Sequence, residues 1–404
     1  GDEIVEQLTR REQEILLRII AGSTNKQIAN ELFVEVSTVK WHITQLYRKL
    51  GVRSRMQCVV RARELNLVVG DNEDATVVGE SISTIHMAAP ENPYKGLRPF
   101  QSADARDFFG REDLSKKLVQ RMSESEEYAR FLAVVGPSGS GKSSVVRAGL
   151  IPGLWRGDIP GSEKWFIVDM LPGMHPIDEL EVALTKVAAD QARNLREYLV
   201  RDARGLFRAA QLILPDDDSE LVVIVDQFEE VFTLVEDEAA RQHFLDTLLV
   251  AVTTPRSRVR VVVTLRADFY DRPLHYPDFG EMMRNRMETI LPLSADELQR
   301  AICKPAEQVG VRFEEGLVAT IVSEINYQPG ALPLLQYAPT ELFDTQENLR
   351  LTRQSYQNIG GAVGALAKRA DIIFEELDST GRETARQMFL RLVTLGEGTE
   401  DTRR

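Results

Sequence analysis

The run GPSGSGKS at residues 136–143 constrains the fold most, because it fits the pattern G-x-x-x-x-G-K-[ST] at every fixed position. An apolar, strand-like segment, 131–135, precedes it, and apolar residues at helical spacing follow it. Glycines let backbone N–H groups curl around phosphate oxygens, and a helix that opens at Lys142 directs its positive end at the same anion. A chance Gly/Ser-rich turn is the alternative, and the strand and helix on either side argue against it. We predict a phosphate-binding loop.

This loop assigns a role to most of its residues. Lys142 would reach the β- and γ-phosphates of a nucleotide, and Ser143 would ligate magnesium. The expected cofactors are therefore ATP or ADP together with Mg²⁺. The nucleotide-binding residues that we predict from the loop are Gly136, Ser138, Gly139, Ser140, Gly141, Lys142, Ser143 and Ser144.

The composition is that of a globular protein with several domains. The 404 residues are 43% hydrophobic and 27% charged. No apolar run approaches the roughly 18 residues that a membrane helix needs, so we expect no membrane partner. Two cysteines, Cys58 and Cys303, support neither a disulfide framework nor a zinc site, and we expect a cytoplasmic protein. The sequence starts at Gly1 rather than at a methionine, so we expect it to be part of a longer protein.

Charge is distributed unevenly along the chain. Residues 1–70 contain 11 Lys and Arg against 8 Asp and Glu, whereas the remainder contains 38 against 54. A small basic module on an acidic body suits a nucleic-acid-binding head, because phosphate contacts need Lys and Arg. Chance fluctuation is the alternative, and the charge alone does not decide between them.

The first 70 residues contain several short helical patterns. Thr9 and Glu12 form a predicted capping box, and the helix that they open carries apolar residues on one face until Gly22. Two further helices begin near Thr24 and Ser37, and a fourth pattern follows Ser54. Two short helices joined by a tight turn predict a helix-turn-helix. We expect the inward-facing residues to be Ile15, Leu16, Ile19, Ile20, Ile28, Ala29, Leu32, Val39, Ile43, Leu46 and Leu50.

These motifs resemble the LuxR-type DNA-binding domain, an all-α fold. The resemblance rests on LTRRE at 8–12, GSTNKQIA at 22–29, TVKWH at 38–42 and KLGVRSR at 49–55. It implies double-stranded DNA as a partner and a third helix that enters the major groove. Base-reading positions then fall on Lys40, Trp41 and Thr44, although Trp41 could equally contact protein.

The same resemblance bears on phosphate contacts and on dimerisation. Lys26 and Arg48 are candidates for phosphate contacts, and simple solvation of these cations is an equal alternative. The fourth helix, with Val59, Val60 and Ala62, corresponds to the family's usual dimer face.

Two later strands carry candidate catalytic residues. The apolar run 221–225 ends in Asp226, which we expect to hold magnesium through water. Glu229 or Glu230 would polarise the attacking water, or both would simply start a surface helix. Arg266 follows the strand predicted near 259–265 and is a candidate sensor of the γ-phosphate, with a salt bridge as the alternative. Alternating strands and helices predict a doubly wound α/β P-loop domain with a parallel sheet.

The region after residue 92 resembles the bacterial novel STAND NTPase family. The residues that carry this resemblance are NPYKGLRPF from Asn92, FFGRE from Phe108 and DQFEE from Asp226, and QPGALPLL at 328–335 resembles the helical lid of STAND ATPases. The expected multidomain organisation is a helix-turn-helix domain at 1–69, a linker at 70–91, a P-loop NTPase domain at 92–291, a helical lid at 292–372 and the start of a winged helix at 373–404.

This resemblance also implies roles for individual residues. Gly110 and Arg111 would line the adenine and ribose, Pro333 would pack on the base from the lid, and Arg266 would be the first sensor residue. Gln227 stands where other P-loop ATPases have a glutamate directly after the aspartate, and this departure favours slow hydrolysis.

Together the two resemblances imply the regulatory core of a bacterial transcription factor. Its ATP-bound and ADP-bound states would differ in self-association and therefore in DNA binding, with an unidentified signal partner acting through a region after residue 404. Two alternatives stay open. One is an ATP-driven motor or loader that the N-terminal module addresses to DNA, and the other is a signalling or defence scaffold whose helix-turn-helix binds protein.

Overall fold

The chain divides into two units, Gly1–Ala89 and Pro90–Arg404. A computed structural model describes the second unit almost completely, over residues 90–188, 195–325, 332–346, 348–394 and 402–403. In the first unit it describes residues 10–20 and the single positions 25, 28, 39, 43, 46, 47, 49, 50, 58, 61 and 62.

The described part of the first unit is a small apolar core around helix α1, Arg10–Ile20. Glu12 is buried beside this core, and its carboxylate pairs with the Lys49 ammonium group at 2.9 Å. The buried apolar residues are Ile15, Leu16, Ile19, Ile28, Val39, Ile43, Leu46, Leu50, Cys58 and Ala62. The prediction of the inward-facing positions is therefore confirmed wherever a position is described, except that Ile20 is only partly buried.

One residue corrects the predicted dimer face. Ala62 is fully buried in this apolar core, so its side chain is not available to a second copy. Val59, Val60 and the predicted linker up to residue 89 lie outside the described residues.

A five-stranded parallel sheet forms the centre of the second unit. Its spatial order is β2-β3-β4-β1-β5, so β4 lies between β1 and β3. The strands are β1 Phe131–Gly136, β2 Phe166–Met170, β3 Leu221–Val225, β4 Val259–Arg266 and β5 Met287–Thr289. Strands β1 and β3 are buried at every position, as expected of parallel strands covered on both faces.

Helices cover both faces of this sheet. Helix α2, Glu112–Ser123, precedes β1, and helix α3 follows the phosphate loop as Lys142–Ser144, a π-helical segment Val145–Leu150 and Ile151–Trp155. Both pack with residues such as Leu132 and Val222 on one face. The helices that follow are α4 Pro176–Thr185, α5 Leu195–Arg201, α6 Gly205–Ile213, α7 Glu230–Thr233, α8 Glu238–Thr253 and α9 Pro277–Asn285. The predicted doubly wound domain is confirmed.

A helical subdomain follows the sheet and has its own apolar core. Ser294 caps its first helix through the predicted capping box with Glu297. Tyr94, far away in sequence, belongs to the same core. The subdomain consists of α10 Ala295–Gln308, β6 Arg312–Phe313, α11 Leu317–Ile325, α12 Leu332–Asp344, β7 Arg350–Leu351, α13 Arg353–Ile359 and α14 Gly361–Glu376.

The described chain ends in α15 Ser379–Leu392 and a short antiparallel pair, β8 Val393–Thr394 and β9 Thr402–Arg403. The boundary that we predicted between residues 372 and 373 falls inside helix α14, Gly361–Glu376, and the division into lid and winged helix stays a prediction. Within the described residues, no helix is long and apolar enough to cross a membrane.

Candidate functional site

The predicted phosphate loop connects β1 to α3 at the carboxyl edge of the sheet. Gly139 and Gly141 have φ values of 71° and 87°, a region that disfavours residues with a Cβ atom. A Cβ atom at Gly136 would lie 2.8 Å from the Ser140 hydroxyl. The glycines of the motif therefore fit the tight path of this backbone.

Lys142 is folded back over the loop. Its ammonium group donates to the carbonyl oxygens of Gly136 at 3.0 Å and Pro137 at 2.8 Å. Burial lowers the pKa of Lys142, and the carboxylate of Glu229 opposes this shift. The loop carbonyl oxygens therefore hold the Lys142 ammonium group close to the place where a bound phosphate would lie.

Ser140 carries an unsatisfied polar group in the same loop. Its hydroxyl is buried and has no hydrogen-bond partner among the described residues. Buried hydroxyl groups normally have a partner, so this atom fits a site that receives a polar ligand. The N–H groups in the first turn of α3 have no acceptor within the helix either, which suits a phosphate.

Asp226 lies at the end of β3 and is only 3% exposed. Its Oδ1 accepts hydrogen bonds from the Ser143 hydroxyl at 2.7 Å, the Thr264 hydroxyl at 2.5 Å and the Gln227 backbone N–H at 3.1 Å. A hydroxyl and a carboxylate side by side are the hard oxygen ligands that Mg²⁺ prefers, with water and phosphate oxygens completing its shell. Ser143 and Asp226 therefore fit a magnesium ion.

Arg266 ends β4, between the phosphate loop and Asp226 in the sheet. Its guanidinium group forms a bidentate pair with Asp268, at 3.1 Å and 2.5 Å, and lies over the Phe269 ring at 5.3 Å. The salt bridge that the sequence left open as an alternative is thus present. The position at the carboxyl edge, which a sensor residue needs, is present as well.

The two candidate glutamates point to different places. The Glu229 carboxylate accepts the backbone N–H of Arg266 at 3.2 Å, and burial raises the pKa of this side chain. Glu230 instead accepts the backbone N–H of Gly173 at 3.0 Å and begins helix α7. The geometry therefore favours Glu229 as the group that acts on a ligand and gives Glu230 a structural contact.

A cavity of about 240 Å³ adjoins the phosphate loop. Loop residues form one side, and apolar side chains from the helical subdomain and from the segment before α2 form the others. The lining residues are Gly96, Leu97, Arg98, Pro99, Phe100, Phe108, Phe109, Arg111, Gly139, Ser140, Gly141, Lys142, Ser143, Ser144, Leu293, Ala301, Leu332, Pro333, Leu335 and Gln336. A polar loop that opens into an apolar chamber matches what a phosphate with an attached aromatic base requires.

The segment 90–109, here called the strap, connects the walls of this cavity. Its Tyr94 hydroxyl donates to the Ile302 carbonyl of α10 at 2.5 Å, and its Asn92 amide donates to the Thr340 carbonyl of α12 at 3.0 Å. Farther along, the Phe100 N–H donates to the Ser144 hydroxyl in the first turn of α3 at 3.2 Å. The strap therefore joins the helical subdomain to the phosphate loop.

Only some of the predicted nucleotide contacts outside the core of the phosphate loop line this cavity. Arg111 and Pro333 line the cavity, and Arg111 is buried, which lowers its pKa. Gly110 does not line it; its φ is 84°, and an added Cβ would lie 2.4 Å from the Glu297 carbonyl oxygen of α10. Ser138 is exposed on the loop and also lies outside the cavity lining.

The predicted DNA contacts are not described by the structure. Lys26, Lys40, Trp41, Thr44 and Arg48 all lie outside the described residues. They stay predictions.

Sequence reasoning missed two polar partners of Asp226. Thr264 donates to Oδ1, and the Arg147 guanidinium lies 3.2 Å from Oδ2. A signal for Arg147 existed, since residues four apart on a helix share a face and Arg147 is four residues after Ser143. The strap residues were recognised only as a family motif, without a role.

Two family models match this chain. One, for the luxR family of bacterial regulatory proteins, matches residues 6–62. The other, Novel STAND NTPase 1, matches residues 93–404, which is most of the chain. The chain belongs to the Novel STAND NTPase 1 family. This STAND protein thus combines a luxR-type regulatory domain with an NTPase domain, as both resemblances implied.

Curated relatives match the STAND protein over a short part of its length. The transcriptional regulatory protein LiaR of Bacillus subtilis (strain 168) is 51% identical over 63 residues, which are 16% of this chain and 30% of LiaR. The HTH-type transcriptional regulator MalT of Yersinia pestis (strain Pestoides F) is 48% identical over 63 residues, 16% of this chain and 7% of MalT. The chain therefore spans less than a third of either relative.

Matches among solved structures include two origin-recognition proteins, both with TM-scores below 0.5. A chain of Drosophila ORC bound to DNA has 15% identity and a TM-score of 0.44, with 81% of this chain and 77% of that chain covered. The Aeropyrum pernix ORC1 protein in complex with DNA has 15% identity and a TM-score of 0.43, with 68% and 71% covered.

Proposed function

We propose that this STAND protein is a nucleotide-controlled transcription regulator. ATP and ADP alternate in the cavity beside the phosphate loop, and the N-terminal domain binds double-stranded DNA. The nucleotide state sets self-association, and self-association sets DNA affinity because several DNA-binding heads then act together. A signal partner that acts outside the described residues would bias the two states.

One observation carries this proposal. The phosphate loop, including Ser143, and apolar residues of the helical subdomain line a single cavity, and Ser143 donates a hydrogen bond to Asp226. A ligand there would contact both subdomains, so its phosphates can change how the two pack. This arrangement suits a switch.

The chain's own residues would bind the nucleotide as follows. Lys142 leaves the carbonyl oxygens of Gly136 and Pro137 and turns to the phosphates, and the Ser140 hydroxyl gains the partner that it lacks. Ser143 and Asp226 hold Mg²⁺, which neutralises phosphate charge when bound. Arg111 and Pro333 contact the ribose and base.

Hydrolysis would be slow and would serve to reset the switch. Glu229 accepts a proton from the attacking water, and Arg266 contacts the γ-phosphate. Arg266 must first release Asp268, to which it is bound by two hydrogen bonds. This exchange adds a barrier to turnover.

DNA recognition would follow the luxR pattern. Lys40, Trp41 and Thr44 read base edges in the major groove, while Lys26 and Arg48 contact phosphates. The resemblance to LiaR and MalT, both regulators of transcription by their names, supports this assignment for the N-terminal domain.

The first test identifies the bound nucleotide. The purified chain is denatured, and the released nucleotide is identified by chromatography, with Lys142→Ala as the control. We expect ADP from the unaltered chain and little from Lys142→Ala. An empty site combined with fast, DNA-stimulated ATP turnover would instead indicate a motor.

A second test addresses the switch. Molar mass by light scattering and affinity for a pool of duplexes with a randomised centre are measured with ADP and with a non-hydrolysable ATP analogue. We expect a larger assembly and tighter DNA binding with the ATP analogue. Identical mass and affinity in both nucleotides would refute the switch, and ATP binding without any DNA binding would indicate a protein-binding scaffold.

A further inference from the structure

Arg147 contacts both acidic side chains at the edge of the magnesium site. It lies on α3 four residues after Ser143, and its guanidinium group is 3.2 Å from Oδ2 of Asp226 and 3.3 Å from Oδ2 of Asp169. The Asp226 side chain is 4% exposed and that of Arg147 is 18% exposed, whereas that of Asp169 is about half exposed. The stronger, less solvated contact is therefore the one with Asp226.

The two oxygens of Asp226 have different partners. Oδ1 accepts hydrogen bonds from Ser143, Thr264 and the Gln227 backbone, all neutral donors. Oδ2 contacts Arg147, which supplies a full positive charge. A buried carboxylate without a counter-charge is costly, and beside a phosphate loop it would also repel the ligand.

Other cations near the site have other partners. Lys142 donates to loop carbonyl oxygens, and Arg266 pairs with Asp268. Within the described residues, Arg147 is thus the cation in direct contact with Asp226. Its Nε is also buried without a hydrogen-bond partner there, which leaves a donor available in the site.

We propose that Arg147 is a resident counter-cation of the magnesium site. It balances Asp226 when no divalent cation is bound, so that ADP stays bound without magnesium, and it competes with magnesium for Asp226 when the metal arrives. The inference rests on the proposed nucleotide binding and specifies how much that binding depends on metal.

The test compares ADP affinity with and without metal. Titration calorimetry on the full chain gives the ADP dissociation constant in excess Mg²⁺ and in EDTA, and the ratio of the two is the readout. Removing a charge at contact distance should weaken ADP binding in EDTA about tenfold in Arg147→Met, with a much smaller change in Mg²⁺. Arg147→Lys keeps the charge and should keep a ratio close to that of the unaltered chain.

Arg156→Met is the matched control. Arg156 follows the same helix and forms its salt bridge with the exposed Asp158, so this substitution removes an equal charge that is paired with a different carboxylate. The ratio of its ADP dissociation constants in EDTA and in Mg²⁺ should stay unchanged.

Manganese binding to the ADP complex, followed by electron paramagnetic resonance, gives an independent readout. Mn²⁺ should bind more tightly to Arg147→Met, because the guanidinium group that competes with the metal for Asp226 is gone.

The outcomes separate this inference from the proposed function. If the unaltered chain binds no ADP even in Mg²⁺, the proposed function fails. If it binds ADP and Arg147→Met has the same ratio and the same Mn²⁺ affinity, the counter-cation role is overturned.

Should Arg147→Met not fold, the double variant Arg147→Met with Asp226→Asn leaves no unpaired buried charge, and it is compared with Asp226→Asn alone. Because Asp226→Asn leaves no carboxylate to balance, the role predicts similar metal-free ADP affinity in the double variant and in Asp226→Asn. A loss of about tenfold between them would show that Arg147 attracts the phosphates directly, and it would overturn the role.

Discussion

Two adjacent glutamates show how far a single residue's role depends on its surroundings. Glu229 and Glu230 are chemically identical, yet one accepts the backbone N–H of Arg266 at the sheet edge and the other that of Gly173. We expect Glu229→Gln to lower ATP hydrolysis about 100-fold, the usual contribution of a general base, while nucleotide binding persists. Glu230→Gln is the matched control and should lose about 1 kcal/mol of stability, with little change in rate.

The pH dependence of hydrolysis gives a second check at the residue scale. A general base works only when it is ionised, and burial raises the pKa of Glu229. The rate should therefore fall on acidification at a higher pH than an exposed glutamate would cause. Steady-state ATP hydrolysis is measured against pH in the unaltered chain, in Glu229→Gln and in Glu230→Gln. A loss of rate in Glu230→Gln equal to that in Glu229→Gln would contradict the assignment of Glu229 as the general base.

Sequence could predict the parts of the site that depend on local spacing. The phosphate loop, Asp226 at a strand end and Arg266 at the next strand end all follow from motifs and periodicity, and the structure brings them to one edge. Sequence could not separate Glu229 from Glu230, because the choice depends on the loop at Gly173, more than 50 residues earlier. Nor could it pair Tyr94 with Ile302, since such a contact depends on how two subdomains pack.

At the scale of elements, a glycine sets how closely the NTPase subdomain approaches α10. Gly110 has a φ of 84°, and a Cβ there would lie 2.4 Å from the Glu297 carbonyl oxygen. A backbone carbonyl in a helix cannot yield as a flexible side chain can. The resemblance implies that Gly110 contacts adenine or ribose. The structure adds a second requirement, close packing against α10, that the sequence did not indicate.

Gly110→Ala tests this packing requirement. Backbone strain and overpacking together should lower the free energy of unfolding by about 3 kcal/mol. Gly161→Ala is the matched control, because Gly161 has a φ of 86° with nothing within 4 Å of an added Cβ, so only about 1 kcal/mol of strain is expected. Chemical denaturation of both variants gives the comparison, and equal losses would show that α10 moves aside freely.

At the scale of the whole molecule, the second unit contains a sheet domain and a helical subdomain that share a cavity. The strap joins them through Tyr94 and Asn92 at the helical side and through Phe100 at the phosphate loop. Tyr94 also packs edge-on against Phe343, so the strap is part of the helical core. These contacts hold two walls of the cavity together, so loosening them would widen the path by which a ligand leaves.

Release of ADP should therefore depend on the strap. In Tyr94→Phe the ring stays in the core, but the Ile302 carbonyl loses its buried donor, at a cost of about 1 kcal/mol. If this contact holds the cavity closed, ADP dissociation should accelerate about fivefold, by the usual conversion of free energy to rate. Tyr356→Phe is the control, because its hydroxyl bonds to Glu324 within the helical subdomain at 2.7 Å and does not bridge to the strap. Stopped-flow release of a fluorescent ADP measures both, and equal rates in the two variants would show that the strap is only structural.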